Sequence, residues 1–166
     1  GKMKNFSDLI SEIIIKKNIE SGKDLAKSKF TTYDYNISME HYDIETEEQS
    51  KYYNKPKGSY SLLAVPDVLY LSRDEIDYCI EIFAEVLKRY LKDISSKSKI
   101  LIVGLGNRHI SADSLGAKVV SKINITFQNT SFPHIMAICP SVLGLTGIET
   151  SKIIEGVVEK VSPTHL

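Results

Sequence analysis

The sequence has no tryptophan, only two cysteines and no surplus of either charge, with 21 Lys+Arg against 21 Asp+Glu in 166 residues. The balanced charge removes the simplest argument for nucleic acid or an anionic membrane as the main partner, because phosphate binding normally leaves a basic excess. Cys79 and Cys139 stand far apart in no metal-ligand spacing and read as reduced core residues. No apolar run approaches the roughly 18–20 residues that span a bilayer, and the N-terminus has neither the apolar stretch nor the cleavage site of a signal peptide. The expectation is a cytoplasmic protein without a membrane or direct nucleic-acid partner. What is present, 166 residues of which 42% are hydrophobic, suffices for one domain with its own core.

The apolar pattern sets the organisation. Phe6, Ile10, Ile13 and Ile14 recur at helical spacing behind Ser7 as N-cap, so residues 1–29 read as an N-terminal helical or propeptide-like segment ending in a polar stretch. Period-2 runs over Phe30 to Ser38 and at Tyr42 and Ile44 predict strands that could pair as a hairpin, followed by a polar loop from Glu45 to Gly58. Tyr60 to Val65 and Val68 to Leu71 predict two short or edge strands broken by Pro66. Ser72 and Glu75 form a capping-box pair opening a helix to about Leu91, with Ile76, Cys79, Ile80, Phe83 and Leu87 on one face.

From Ile100 the chain alternates. Ile100 to Val103 reads as a buried strand, Asp113 to Lys122 as a helix, Ile123 to Thr126 and His134 to Cys139 as strands, and Thr150 to Val161 as an amphipathic helix. This predicts an α/β fold for residues 30–166, a largely parallel or mixed sheet flanked by helices, with additional strands before it. A further strand should begin at His165 or Leu166, so the domain reads as truncated at its C-terminal end.

Ligands of open α/β sheets bind beyond the carboxyl ends of the strands, and two loops fall there: Gly104 to Asp113 and Pro140 to Glu149. Gly104 and Gly106 suggest a dinucleotide turn, but His109 occupies the third glycine position, and any tight strand-to-loop turn needs such glycines equally. Asp113 stands where loop meets helix. It can serve as an N-cap, and the helix dipole there favours an ionised carboxylate able to act as base toward water or to bind a metal. In the second loop Gly144 and Gly147 lead to the helix amides at Glu149 and Thr150, which could hold a carbonyl or an oxyanion; the alternative is a glycine-rich connection capped by Thr146 or Thr150. His41, His109, His134 and His165 form no motif by spacing, and Cys139 at a strand end has no marked partner base.

At these loops the sequence resembles the germination protease family, the endopeptidases of spore-forming bacteria that degrade small acid-soluble spore proteins. Leu101-Ile102-Val103-Gly104-Leu105-Gly106-Asn107 and Asp113-Ser114-Leu115-Gly116 are similar to its G-L-G-N and D-[AS]-L-G elements. Pro140-Ser141-Val142-Leu143-Gly144-Leu145-Thr146-Gly147-Ile148-Glu149-Thr150, with Ile153-Ile154-Glu155-Gly156-Val157-Val158, is similar to P-G-V-M-G-x-T-G-I-E-T and the helix after it. Lys55-Pro56-Lys57-Gly58-Ser59-Tyr60 is similar to K-P-x-G-x-Y.

The resemblance implies a hydrogenase-maturation-protease-like, phosphorylase/hydrolase-like fold and catalysis by two aspartates without cofactor or metal. One carboxylate is ionised to activate water and the other is protonated to polarise the scissile carbonyl. Asp113 falls on the first. The second lies, in the family, in an I-D-A segment on the strand after the last helix, beyond Leu166, so this chain alone is expected to be inactive. Gly104, Gly106, Asn107, Gly144, Thr146, Gly147 and Glu149 would shape the substrate cleft. A latent zymogen with an N-terminal propeptide, a homo-oligomer (a tetramer), spore proteins as substrates and the forespore or spore core as location are implied too. Departures are Ser141 in place of glycine, Thr32-Tyr33-Asp34-Tyr35-Asn36 for R-T-D-L-A, and a short stretch between Thr126 and Phe132. Competing readings are a metal-dependent maturation endopeptidase of the same fold, with Asp113 and a histidine as ligands, and a non-catalytic protein-binding module.

Overall fold

The computed structural model describes residues 10–21, 26, 28–127 and 131–166. It is a mixed α/β structure in two compact units, Gly1–Leu91 and Lys92–Leu166. Among the described residues no helix is long and apolar enough to cross a membrane. The expected Ser7 cap and Phe6 lie outside the described residues.

The first unit is built on an antiparallel sheet of β1 (Ser28–Thr32), β2 (Ser38–Ile44) and β3 (Gly58–Ala64), in that order. The hairpin expectation holds, with Ser28 opposite Tyr42 and Thr32 opposite Ser38. The predicted strand from Phe30 to Ser38 is interrupted, because Tyr35 and Asn36 take left-handed backbone (φ 60 and 56) in a 3-10 turn that reverses the chain. Helix α1 (Ile10–Ser21) and helix α2 (Glu47–Tyr53) pack against each other. Ile14, Ala26, Tyr42, Ile44 and Tyr53 form the core, so the N-terminal segment contributes two core residues. Tyr53 Oη accepts from the Ala26 N–H and donates to Asn18 Oδ1, both at 3.0 Å.

Helix α2 corrects the loop expected from Glu45 to Gly58. Its signal was a second capping box: Gln49 N–H donates to Thr46 Oγ1 at 3.1 Å, and Thr46 N–H donates to Gln49 Oε1 at 3.0 Å. Tyr52 and Tyr53 are its only large apolar side chains, too few to impose a helical period on a polar window. The expected strand at Val68 to Leu71 is instead a 3-10 turn, Val68–Tyr70, with Leu69 and Tyr70 exposed.

Helix α3 (Arg73–Tyr90) starts at the predicted Ser72/Glu75 capping box. Its buried side chains are Ile82 and Val86, whereas Ile80, Phe83 and Leu87 on the expected face are exposed. The reason is a double stripe. Tyr78 meets Tyr35 edge-on with ring centroids 5.5 Å apart, Tyr90 Oη lies 2.6 Å from Ser61 Oγ, and Ile82 and Val86 fall between these anchors.

The second unit has a parallel pair, β4 (Lys99–Val103) and β5 (His134–Ile138), with Val103 opposite Ile138. Helix α4 (Leu115–Lys122) lies between the two strands in the chain and contacts β4, and helices α5 (Leu143–Thr146) and α6 (Thr150–Val161) follow β5. Ile123 to Thr126 forms no strand; Thr126 spends its polar groups on Pro133 O and on the Ile135 backbone, 2.9 Å from N to Oγ1. Where a further strand is expected, His165 makes an isolated parallel bridge to Ile100, with Leu101 N–H donating to His165 O at 2.9 Å. His165 thus takes the edge of β4 opposite β5.

Candidate active site

Parallel pairing brings the carboxyl ends of β4 and β5 side by side, and Gly104 N–H donates to Ile138 O at 2.9 Å where the strands end. Both candidate loops leave from this edge, which is where an α/β sheet offers a crevice.

The first loop is held by close packing of glycines. A Cβ on Gly104 would stand 2.3 Å from Gly116 O, and one on Gly116 would stand 2.1 Å from Leu105 O. The start of α4 therefore lies directly on the strand-to-loop turn. Gly106 has φ +122, and a Cβ there would meet Asp113 O at 2.1 Å. These contacts give the G-L-G-N and D-S-L-G spacings a mechanical meaning: they let the segment carrying Asp113 close onto the end of β4. The dinucleotide alternative for Gly104 and Gly106 gains no support from this packing, since protein backbone fills the space the glycines leave.

Asp113 does not cap α4. It ends a 3-10 turn, Ser111–Asp113, and Ser114 precedes the helix without a side-chain cap. The carboxylate turns back instead, and Oδ2 accepts from the Asn107 N–H at 2.8 Å. The loop between closes as a series of turns: Asn107 Oδ1 accepts from His109 N–H at 2.9 Å, Asn107 O from Ile110 N–H at 3.1 Å, and Ile110 O from Asp113 N–H at 2.9 Å. Ser114, buried beneath it, donates from Oγ to Ser111 O at 2.9 Å. Asp113 itself is exposed, and among the described residues Oδ1 accepts no hydrogen bond. An oriented carboxylate on an exposed residue, with one oxygen uncommitted, is what a base toward water requires.

The second loop is more regular than expected. Gly144 and Thr146 belong to the four-residue α5, which Gly147 terminates with φ 68. Glu149 is the N-cap position of α6 but makes no side-chain cap; its carboxylate stands 4.0 Å from Lys152 Nζ. Neither threonine caps α6. Thr146 Oγ1 accepts from Ile148 N–H at 3.2 Å, and Thr150 Oγ1 donates to Ser141 O at 3.1 Å. Ser141 holds φ 67, a left-handed conformation suited to glycine.

The structure thus brings Gly104, Gly106, Asn107 and Asp113 into one contact set. Gly144, Thr146, Gly147 and Glu149 lie on the adjoining loop, and among the described residues no hydrogen bond joins the two. Gly116 belongs to the same packing, and its signal in the sequence is a glycine in the first turn of a helix. Among the described residues no group of three or more His, Cys, Asp or Glu side chains is placed to hold a metal. Cys139 and Cys79 are free and half-buried.

The family model for germination protease matches residues 11–166 of this chain. The germination proteases of Clostridium acetobutylicum, Clostridium tetani and Priestia megaterium are 32%, 36% and 37% identical to it over 132, 136 and 132 residues. Those alignments cover 73%, 76% and 73% of this chain and 40%, 42% and 36% of the relatives, so the chain spans about two fifths of their length. With the match running through both candidate loops, the chain belongs to the germination protease family.

Proposed function

We propose that this chain carries one half of a paired-carboxylate endopeptidase centre that hydrolyses peptide bonds of small acid-soluble spore proteins. Asp113 is the ionised partner. Its free Oδ1 takes a proton from water as the water oxygen adds to the scissile carbonyl carbon; the proton then passes to the departing amine as the C–N bond breaks. A second, protonated aspartate on the strand that follows α6 polarises the carbonyl. The bridge from Ile100 to His165 supports this arrangement, because a strand continuing from it runs beside β4, whose end carries the Asp113 loop. Gly104, Gly106, Asn107, Gly144, Thr146, Gly147 and Glu149 border the cleft, and no cofactor enters the reaction. Spore-core location, latency through an N-terminal propeptide and homo-oligomerisation accompany the reading.

The observation that carries it is the Asn107 N–H to Asp113 Oδ2 bond, which orients an exposed carboxylate at the sheet edge of a germination protease family member. The test uses the chain extended by the sequence encoded after Leu166. Cleavage of small acid-soluble spore proteins is expected, with Asp113→Asn lowering kcat by about 10²–10⁴-fold. Unimpaired cleavage by Asp113→Asn removes the role assigned to Asp113. Stoichiometric metal with activation by added metal would favour the metal-dependent reading, and binding of spore proteins without cleavage would favour the non-catalytic module.

A further inference from the structure

We propose that Asn107 is a positioning residue for Asp113 and does not contact substrate through its side-chain carbonyl, an inference that rests on the catalytic reading of Asp113. Three of the polar groups of Asn107 are already committed inside the loop. Its N–H holds Asp113 Oδ2 at 2.8 Å, its backbone O accepts from Ile110 at 3.1 Å, and its Oδ1 accepts from His109 N–H at 2.9 Å.

The last of these bonds spans two residues and is an Asx turn, the local motif in which an Asn or Asp side chain mimics a backbone turn. It fixes the backbone at Asn107 and hence the direction of the N–H that grips the carboxylate. Gly106, at φ +122 and against Asp113 O, fixes the other side. The side chain of Asn107 therefore acts on Asp113 through its own backbone, and the free Oδ1 of Asp113 is aimed by a bond to Oδ2. A small error in this aim costs much, since misplacing a reacting group by about 1 Å can cost on the order of 100-fold in rate.

The geometry separates this role from substrate contact by the choice of replacement. Serine can make the same two-residue turn, more weakly, but offers no amide. Glutamine keeps the amide and is one methylene too long for the turn. In the full-length enzyme, Asn107→Gln and Asn107→Ala should both lower kcat about 10-fold or more with KM changed less than 2-fold, and Asn107→Ser should recover most of the loss. A second readout needs no activity. The amide proton of residue 107, bonded to a carboxylate, should resonate downfield in a 1H–15N spectrum, stay there in Asn107→Ser, and move upfield in Asn107→Gln, Asn107→Ala and Asp113→Asn.

Two results overturn the proposal: glutamine supporting activity where serine does not, with the loss falling on KM, or a residue-107 amide whose shift ignores Asn107→Ala and Asn107→Gln. If the amide follows the expected pattern while Asp113→Asn retains full cleavage, the positioning geometry stands and the catalytic reading of Asp113 fails.

Discussion

Gly104 and Gly116 meet backbone to backbone, with the position of a Cβ on Gly104 only 2.3 Å from Gly116 O. Neither side of this contact is a flexible side chain, so a methyl group cannot be relieved by a rotamer change. Either strand β4 or the start of α4 must move. Gly116→Ala and Gly104→Ala are each expected to lose stability by about 1–3 kcal/mol or more, the usual range for overpacking a close contact. Urea denaturation reads this directly. Gly144→Ala is the control, since nothing lies within 4 Å of a Cβ there and the residue is helical. Equal midpoints for Gly116→Ala and Gly144→Ala would refute the contact.

Ser141 supplies a prediction of opposite sign. Its φ of 67 lies where an L-residue with a Cβ pays roughly 1–2 kcal/mol that glycine does not. The bond that Thr150 Oγ1 makes at this position goes to the Ser141 backbone carbonyl, at 3.1 Å, and survives any side-chain change. Ser141→Gly should therefore stabilise the protein by about 1 kcal/mol, less the extra freedom glycine gives the unfolded chain. Ser141→Ala should give no gain. A thermal midpoint that rises equally in both variants would mean that the serine hydroxyl, not the backbone, is the unfavourable element.

How much of this was legible beforehand depends on whether a local rule or a tertiary contact decided the outcome. The Ser72/Glu75 box, strands β4 and β5 and helix α6 follow from side-chain chemistry within a few residues, and they stand where the pattern put them. The face of α3 was misread because the helix carries two apolar stripes, and only Tyr78 and Tyr90, through Tyr35 and Ser61, decide which is buried. The motif singles out Asp113 as a candidate, but the local pattern does not give its hydrogen-bond partner. Ordinary capping rules direct a carboxylate at a helix start toward that helix; here Gly106 lets the preceding loop come close enough to compete, and Asn107 N–H wins.

Tyr53 ties three segments of the first unit together through one hydroxyl. It is 1% exposed, and its Oη accepts from the N–H of Ala26, itself fully buried. Tyr53→Phe keeps the ring and its edge-on contact with Tyr52, at 5.0 Å between centroids, but strands the Ala26 amide without its acceptor. Leaving a buried donor unsatisfied costs about 1–3 kcal/mol. The expected result is a lowered denaturation midpoint with an unchanged m-value, and faster hydrogen exchange at Ala26 N–H. Unchanged exchange there would show that this bond does not hold the segment before β1.

The capping box of α3 predicts how its first turn responds to acid. Ser72 N–H donates to Glu75 Oε2 at 2.7 Å, and Glu75 N–H donates to Ser72 Oγ at 3.3 Å. The Ser72 backbone N–H first, and the Ser72 side chain second, hold the Glu75 carboxyl below its ordinary value in the folded protein. A carboxyl depressed on folding gives stability that is fully present above its unfolded pKa, about 4.3, and is lost as pH falls through the lower folded value. The window is thus the acid side only; nothing changes at neutral pH. Glu75→Gln retains a side-chain acceptor for the Ser72 amide without a titrating charge, so its stability should fall less steeply between pH 5 and the acid limit. Ser72→Ala removes the cap at every pH, lowering stability by about 1 kcal/mol. Helical circular dichroism followed by urea titration at pH 7 and at acid pH separates the two: a Glu75→Gln variant as acid-sensitive as the parent protein would rule out Glu75 as the titrating group.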